Sequence, residues 1–118
     1  MNKTEKGKLA EDLACKFLTD KGFLIYARNY HSKGGEIDIV CHDGHQLVFC
    51  EVKSKFGLNF GSPEEEMTHT KIERLENAIT CYIQEYNINH DNYRIDLVAM
   101  DLDVDKMSCK IRHYKNYC

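Results

Sequence analysis

Apolar residues recur with helical spacing at Leu9, Ala10, Leu13, Ala14, Phe17 and Leu18, one stripe of a 3.6-residue period. Asn2 followed three residues later by Glu5 reads as a capping box, so the pattern predicts a first helix over residues 3–21, ended by Gly22. The period then shortens. Strands are predicted over residues 23–27, 36–41 and 46–53, with Asp43-Gly44 at a hairpin turn and the polar stretch 29–35 as a loop. Residues 54–62 contain Gly57 and Gly61 without clean periodicity and read as a mobile loop, after which Ser62-Pro63-Glu64-Glu65 opens a short helix. A second stripe, Ile72, Leu75, Ala78, Ile79, Tyr82, Ile83 and Tyr86, predicts a long helix from Lys71 to near Asn87. Residues 93–100 alternate as a fourth strand, and 109–114 add a fifth at an edge. The order describes one α/β unit, and 118 residues suit a single domain.

The charged positions inside the predicted hairpin change the picture most. Gly35-Glu36-Ile37-Asp38 is followed after the turn by Val48-Phe49-Cys50-Glu51-Val52-Lys53. Side chains alternate across a strand, so Glu36 and Asp38 are expected on one face of the first strand, and Glu51 and Lys53 on one face of the second. If the faces coincide, the sheet carries a carboxylate cluster beside one ammonium. Such a cluster is costly unless paired or metal-bound, and Ile37, Ile39, Val48 and Val52 already supply the apolar partners of structural strands. Two converging carboxylates repel, and a divalent cation such as Mg²⁺ relieves the repulsion while binding a phosphate oxygen and a water. Asp38 and Glu51 are therefore the expected ligands. Lys53 is placed to orient or help deprotonate the water and to offset phosphate charge. The E-x-K tripeptide alone is a weak signal whose weight comes from the acid on the preceding strand. Glu11 falls at the edge of the first helix's apolar stripe, beside Ala14 and Leu18, where spacing alone favours an exposed helix glutamate.

A net charge of −3 and a pI near 6.0 argue against indiscriminate nucleic-acid binding, which relies on many phosphate-neutralising cations. The acidic excess lies in the second half, in Glu64-Glu65-Glu66 and in Asp101, Asp103 and Asp105, which leaves room for a basic surface around the cluster. Six cysteines show no C-x-x-C pairing and several fall at core-like positions, so reduced, mostly buried thiols in the cytoplasm are expected. His42 and His45 flank a turn without a zinc-like spacing and read as exposed turn residues. The charged start has no signal-peptide run behind it, and no later segment has the length and apolarity of a membrane span.

At Ala10-Glu11-Asp12-Leu13-Ala14, Arg28-Asn29-Tyr30, Gly35-Glu36-Ile37-Asp38, Phe49-Cys50-Glu51-Val52-Lys53, Gly61-Ser62-Pro63, Lys71 and Arg94-Ile95-Asp96, the sequence resembles the PD-(D/E)xK nuclease superfamily. More closely, it resembles the YraN family of small bacterial proteins, related in fold to archaeal Holliday junction resolvases. The resemblance implies a restriction-endonuclease-like αβββαβ core, a mixed central sheet flanked by two long helices. It implies a DNA endonuclease acting on structured or branched DNA with Mg²⁺, or Mn²⁺ in its place. Asp38, Glu51 and Glu11 then become metal ligands, Glu11 completing the site from the first helix, with Lys53 as the catalytic lysine. Lys71, Lys55 and Arg28 become nucleic-acid contacts, Lys55 standing where the family often has arginine and so losing a bidentate phosphate contact. Ile37 replaces the nominal proline before the first acid, and the acidic overall charge departs from a family tendency to be basic. The alternative of another class is a non-catalytic nucleic-acid- or protein-binding module of the same fold within a DNA-processing complex. A third reading makes the cluster a set of salt bridges on an exposed sheet face.

Overall fold

In the computed structural model, residues 1–57, 61–89 and 92–118 are described. Both halves of the capping box form. Asn2 accepts from the Glu5 backbone N–H at 2.8 Å, and the Glu5 carboxylate accepts from the Asn2 N–H at 3.0 Å, which fixes the start of helix α1, Lys3–Asp20. Gly22, at φ 93°, turns the chain out of the helix. Strands β1 (Leu24–Ser32), β2 (Gly35–Asp43) and β3 (Gln46–Phe56) follow as an antiparallel meander. A short 3₁₀ turn, Pro63–Glu66, precedes helix α2 (His69–Glu85), whose first turn is capped by the Thr68 hydroxyl accepting from the Lys71 N–H at 3.3 Å. Strands β4 (Tyr93–Asp103) and β5 (Ser108–Tyr114) complete the chain.

The five strands lie in chain order in one sheet, with β3 and β4 parallel and every other pair antiparallel. The parallel step needs a crossover, and α2 supplies it. The helices cover opposite faces. On one, Ala10, Ala14 and Leu18 of α1 pack on Ile39, Cys41, Val48, Cys50, Val98 and Met100; on the other, Leu75, Ala78, Ile79 and Tyr82 of α2 pack on Ile37, Val40, Leu47, Phe49 and Ile95. The architecture is α/β with a mixed sheet between two long helices, compatible with the restriction-endonuclease-like core expected from the motifs.

Three predicted boundaries move. The expected loop 29–35 is largely strand, because Tyr30, His31 and Ser32 pair with Ile37, Glu36 and Gly35. These residues are polar because β1 is an edge strand, and polarity was misread as turn. Strand β3 continues through Ser54, Lys55 and Phe56 beside Met100, Asp101 and Leu102 of β4, so the expected loop 54–62 begins only after Phe56. Its centre, residues 58–60, lies outside the described residues. The serine cap expected at Ser62 makes no side-chain capping hydrogen bond, and the element it opens is four residues of 3₁₀ helix. All six cysteines are free; Cys41 and Cys50 are buried, where desolvation pushes both thiols up, but Cys109 and Cys118 are exposed. Among the described residues, no helix is long and apolar enough to cross a membrane.

Candidate active site

The chemistry is concentrated where the β2–β3 ladder opens. Pairing runs from Asp43 opposite Gln46 to Ile39 opposite Cys50 and stops there; the next position in register would set Asp38 against Glu51. Instead, the Asp38 carboxylate reaches across and accepts the backbone N–H of Val52 through Oδ2 at 2.8 Å. On the other side of β2, Asn29 of β1 stands in register with Asp38 and holds a left-handed conformation at φ 53°. Both strands therefore roll at this point. Ile37 packs under α2 while Ile39, two residues on, packs under α1, although a regular strand would keep them on one face. Glu36 and Asp38 still border one cavity, so the irregularity separates the apolar neighbours Ile37 and Ile39.

Glu51 keeps the regular alternation of β3. Leu47 and Phe49 face α2, so Glu51 and Lys53 do too; both border a crevice with Glu36, Lys71, Arg74 and Leu75. Val48, Cys50 and Val52 face α1. Asp38 lines a cavity of about 570 Å³ on the α1 side, shared with Glu11, Arg28, Asn29, Glu36 and Ser54. The acidic groups are thus threaded through the sheet at its opened edge rather than spread on one face.

At that point Glu51, 9% exposed, lies beside Asp38, and its carboxyl is pushed far above the usual carboxylate range. Burial is the largest cause, hydrogen bonding to Asp38 the next and the Asp38 charge the third, while Lys53 pulls the other way. Lys53 Nζ stands 3.8 Å from Glu51 Oε1 on a side chain that is 16% exposed. The ammonium is close, but it does not offset the burial that holds Glu51 protonated without a metal.

Glu11 is 8% exposed, not the exposed helix residue that spacing favours. Its Oε1 accepts from Arg28 Nε at 2.8 Å and Asn29 Nδ2 at 3.0 Å, which leaves Oε2 without a partner among the described residues. Arg28 also binds Asp12 at 2.6 Å, and the two carboxylates raise its pKa further. Among the described residues no three His, Cys, Asp or Glu are grouped tightly enough to hold a metal by themselves. A pair of hard oxygen ligands nevertheless suits Mg²⁺, which keeps several waters and binds through one or two carboxylates plus substrate phosphate. Lys71 borders the crevice with Lys53, and Lys55 lies two residues further along β3.

The glycine of the Gly35-Glu36-Ile37-Asp38 motif has a packing cause. A Cβ there would fall on the carbonyl oxygen of Arg74, so glycine lets α2 close against β2 and bring Lys71 and Arg74 over the crevice.

A further constellation has no role in the sequence reading beyond its place in a motif. Asp96 on β4 is fully buried and accepts from Arg94 Nε at 2.7 Å, Arg94 Nη2 at 2.9 Å and the Asn116 N–H at 3.0 Å, with His113 Nε2 at 2.8 Å. Lys21 Nζ lies 2.7 Å from His113 Nδ1, so the ring accepts from Lys21 and its Nε2–H donates to Asp96. This network ties β5 and the end of α1 to β4. A lone acid in the apolar run Ile95-Asp96-Leu97-Val98 was its signal.

Comparison with known proteins places these features in a family. The model of "Uncharacterised protein family UPF0102" matches residues 10–100, from the helix that carries Glu11 to the strand that carries Asp96. The chain belongs to UPF0102, the YraN family. A UPF0102 protein of Sulfurihydrogenibium sp. is 42% identical over 100 residues, covering 85% of this chain and 87% of that protein. A UPF0102 protein of Carboxydothermus hydrogenoformans is 39% identical over 116 residues, with 98% and 97% covered. One from Legionella pneumophila is 36% identical over 106 residues, with 88% and 89% covered. In this UPF0102 protein the matched region holds Glu11, Asp38, Glu51 and Lys53, whereas β5 lies beyond it.

Proposed function

We propose that this protein is a metal-dependent endonuclease that hydrolyses phosphodiester bonds in DNA. The observation that carries the reading is the Asp38–Glu51 carboxyl pair at the opening of the β2–β3 ladder, with Glu51 buried, Asp38 half-buried and the Lys53 ammonium beside Glu51. Structural strands do not gather such charge without a use for it. Bound Mg²⁺, or Mn²⁺ in its place, would supply a Lewis acid for a phosphoryl oxygen and an activated water.

Asp38 and Glu51 are the ligands, and the Val52 N–H fixes the rotamer of Asp38 so that its other oxygen is presented in advance. Glu11 is the third acid of the site, its orientation held by Arg28 and Asn29 and its Oε2 left to the cation or one of its waters. Lys53 orients the attacking water and offsets charge on the phosphate. Lys71 and Lys55 contact the DNA backbone; Arg28, already engaged by two carboxylates, serves mainly by holding Glu11.

The test is incubation of the protein with branched, flapped and linear DNAs in Mg²⁺ or Mn²⁺. The reading predicts metal-dependent cleavage that Lys53→Met lowers by about 10² or more without loss of fold. One observation favours the second reading, a non-catalytic module: the net charge of −3 and the engaged Arg28 leave DNA affinity to a protein partner. DNA retained only in the presence of a partner protein, without cleavage in either metal, would select it.

A further inference from the structure

Strand β1 carries one residue too many for its partner. Ile25 pairs with Cys41 and Ala27 with Val40, so Tyr26 has no place in the register and bulges from the edge strand. A bulge re-aims a side chain, and this one sets Tyr26 on the wall of a second cavity, of about 490 Å³. Tyr82 and Tyr86, at the C-terminal end of α2, line it with His42, His45 and Asn92.

The rings are held in place but not covered. Tyr26 shares a 2.9 Å hydrogen bond with His42 Nδ1 and meets that ring edge-on, 4.7 Å between centroids. Tyr86 lies 4.5 Å from Tyr82, which is itself held edge-on by Tyr30 and Phe49. Tyr82 is buried, yet Tyr26 is 52% and Tyr86 55% exposed. A single exposed aromatic needs no explanation, but two fixed rings converging on one cavity form a preorganised stacking surface.

The lining selects the ligand. Among the described residues no Lys, Arg, Asp or Glu lines the cavity, so a phosphate or an ammonium finds no counter-charge on its wall. Glu85, next in the chain to Tyr86, is engaged by the Tyr30 hydroxyl at 3.1 Å and further disfavours an anion. His42 Nε2, the His45 ring and Asn92 Nδ2 present donors and acceptors beside the rings. The fitting occupant is neutral and planar with polar edges, which describes a nucleobase.

We propose that this cavity binds an unpaired nucleobase of a DNA strand by stacking on Tyr26 and Tyr86. The proposal rests on the nuclease reading for the source of the base, since branched and flapped DNAs carry unpaired segments. The cavity begins at His42, about 13 Å along β2 from Asp38 and so a few nucleotides of one strand from the acidic pair. Stacking there gives the protein a preference for single-stranded segments that the carboxylates do not provide.

The experiment measures Kd in Ca²⁺ for fluorescein-labelled oligothymidine and for an abasic strand of equal length. Wild type is expected to bind oligothymidine about tenfold or more tighter than the abasic strand. Tyr26→Ala and Tyr86→Ala, singly and together, should erase that preference while melting within about 3 °C of wild type. They should leave the salt dependence of Kd unchanged, because it reports phosphate contacts made elsewhere. Tyr26→Phe, which keeps the ring, should keep the preference. Equal affinity of wild type for the two strands overturns the proposal, as does a folded alanine variant that retains the preference. A proline-rich peptide that shifts the Tyr26 and Tyr86 ring signals in NMR spectra when oligothymidine does not would make this a peptide site and also overturn it. If wild type cleaves DNA but shows no base preference, this proposal fails and the nuclease reading stands. If a base preference lost in the alanine variants occurs without cleavage in Mg²⁺ or Mn²⁺, the cavity assignment stands and the nuclease reading falls. A wild type that neither binds nor cleaves overturns both.

Discussion

The carboxylate of Asp38 accepts the backbone N–H of Val52 at 2.8 Å, a side chain standing in for a strand carbonyl where the β2–β3 ladder ends. One residue thus closes the sheet's hydrogen bonding and presents charge at the opening. Its two duties separate by mutation.

Asp38→Asn keeps an oxygen for the Val52 N–H but removes the charge that a hard cation requires. Mg²⁺ affinity, followed by titration calorimetry, should fall sharply, and the metal-free melting temperature should equal or exceed that of wild type because a partly desolvated charge is removed while the Val52 N–H keeps its acceptor. Asp38→Ala leaves the N–H without its acceptor and should cost about 1–3 kcal/mol in urea unfolding. A metal-free Asp38→Asn as unstable as Asp38→Ala would show that the charge itself is structural.

Gly35→Ala should destabilise the protein by about 2–3 kcal/mol, because the new Cβ collides with backbone of α2 rather than with a side chain that can move. Equilibrium urea unfolding checks this; a change below about 0.5 kcal/mol would contradict the close packing of α2 on β2.

The buried Asp96 network predicts an acid-sensitive fold. Burial acts to raise the Asp96 carboxyl, but His113, Arg94 and the Asn116 N–H outweigh it and hold it at about 2, below its ordinary 3.8. A depressed folded-state pKa gives stability that is complete above the unfolded value and is lost as pH falls through the folded one. The loss therefore falls between about pH 4 and pH 2 and amounts to about 2 kcal/mol. Asp96→Ala, which leaves the largely buried Arg94 with Asp43 as its remaining carboxylate partner and His113 without its acceptor, should cost about 3 kcal/mol at neutral pH. Urea unfolding at pH 7 and pH 3 measures both, and an unchanged stability of Asp96→Ala would contradict the network.

Periodicity and caps made the helices and the strand order legible. The Asn2–Glu5 box and the stripes ending at Leu18 and Tyr86 are local signals, and local signals survive in a sequence. Strand ends did not read correctly where tertiary pairing overrode composition, as at His31 and Ser32, polar residues held by Glu36 and Gly35. Asp38, Glu51 and Lys53 could be nominated as a group from alternation and motif. That they meet through the sheet could not, because it depends on the irregularity at Asn29 and Asp38, where a left-handed residue interrupts the β1–β2 ladder. The burial of Glu11 was hidden for a similar reason: Arg28 and Asn29, its partners, lie on a different element.

The claim on which the account depends is that the carboxylates at the opened ladder serve a cation and not the sheet. The melting temperature of wild type and of Glu51→Gln, each with and without Mg²⁺, tests it. The account predicts that Mg²⁺ raises the melting temperature of wild type, and that Glu51→Gln melts at or above wild type without metal and does not respond to Mg²⁺. A Glu51→Gln protein that melts lower than wild type without metal, while both respond equally to Mg²⁺, would contradict it.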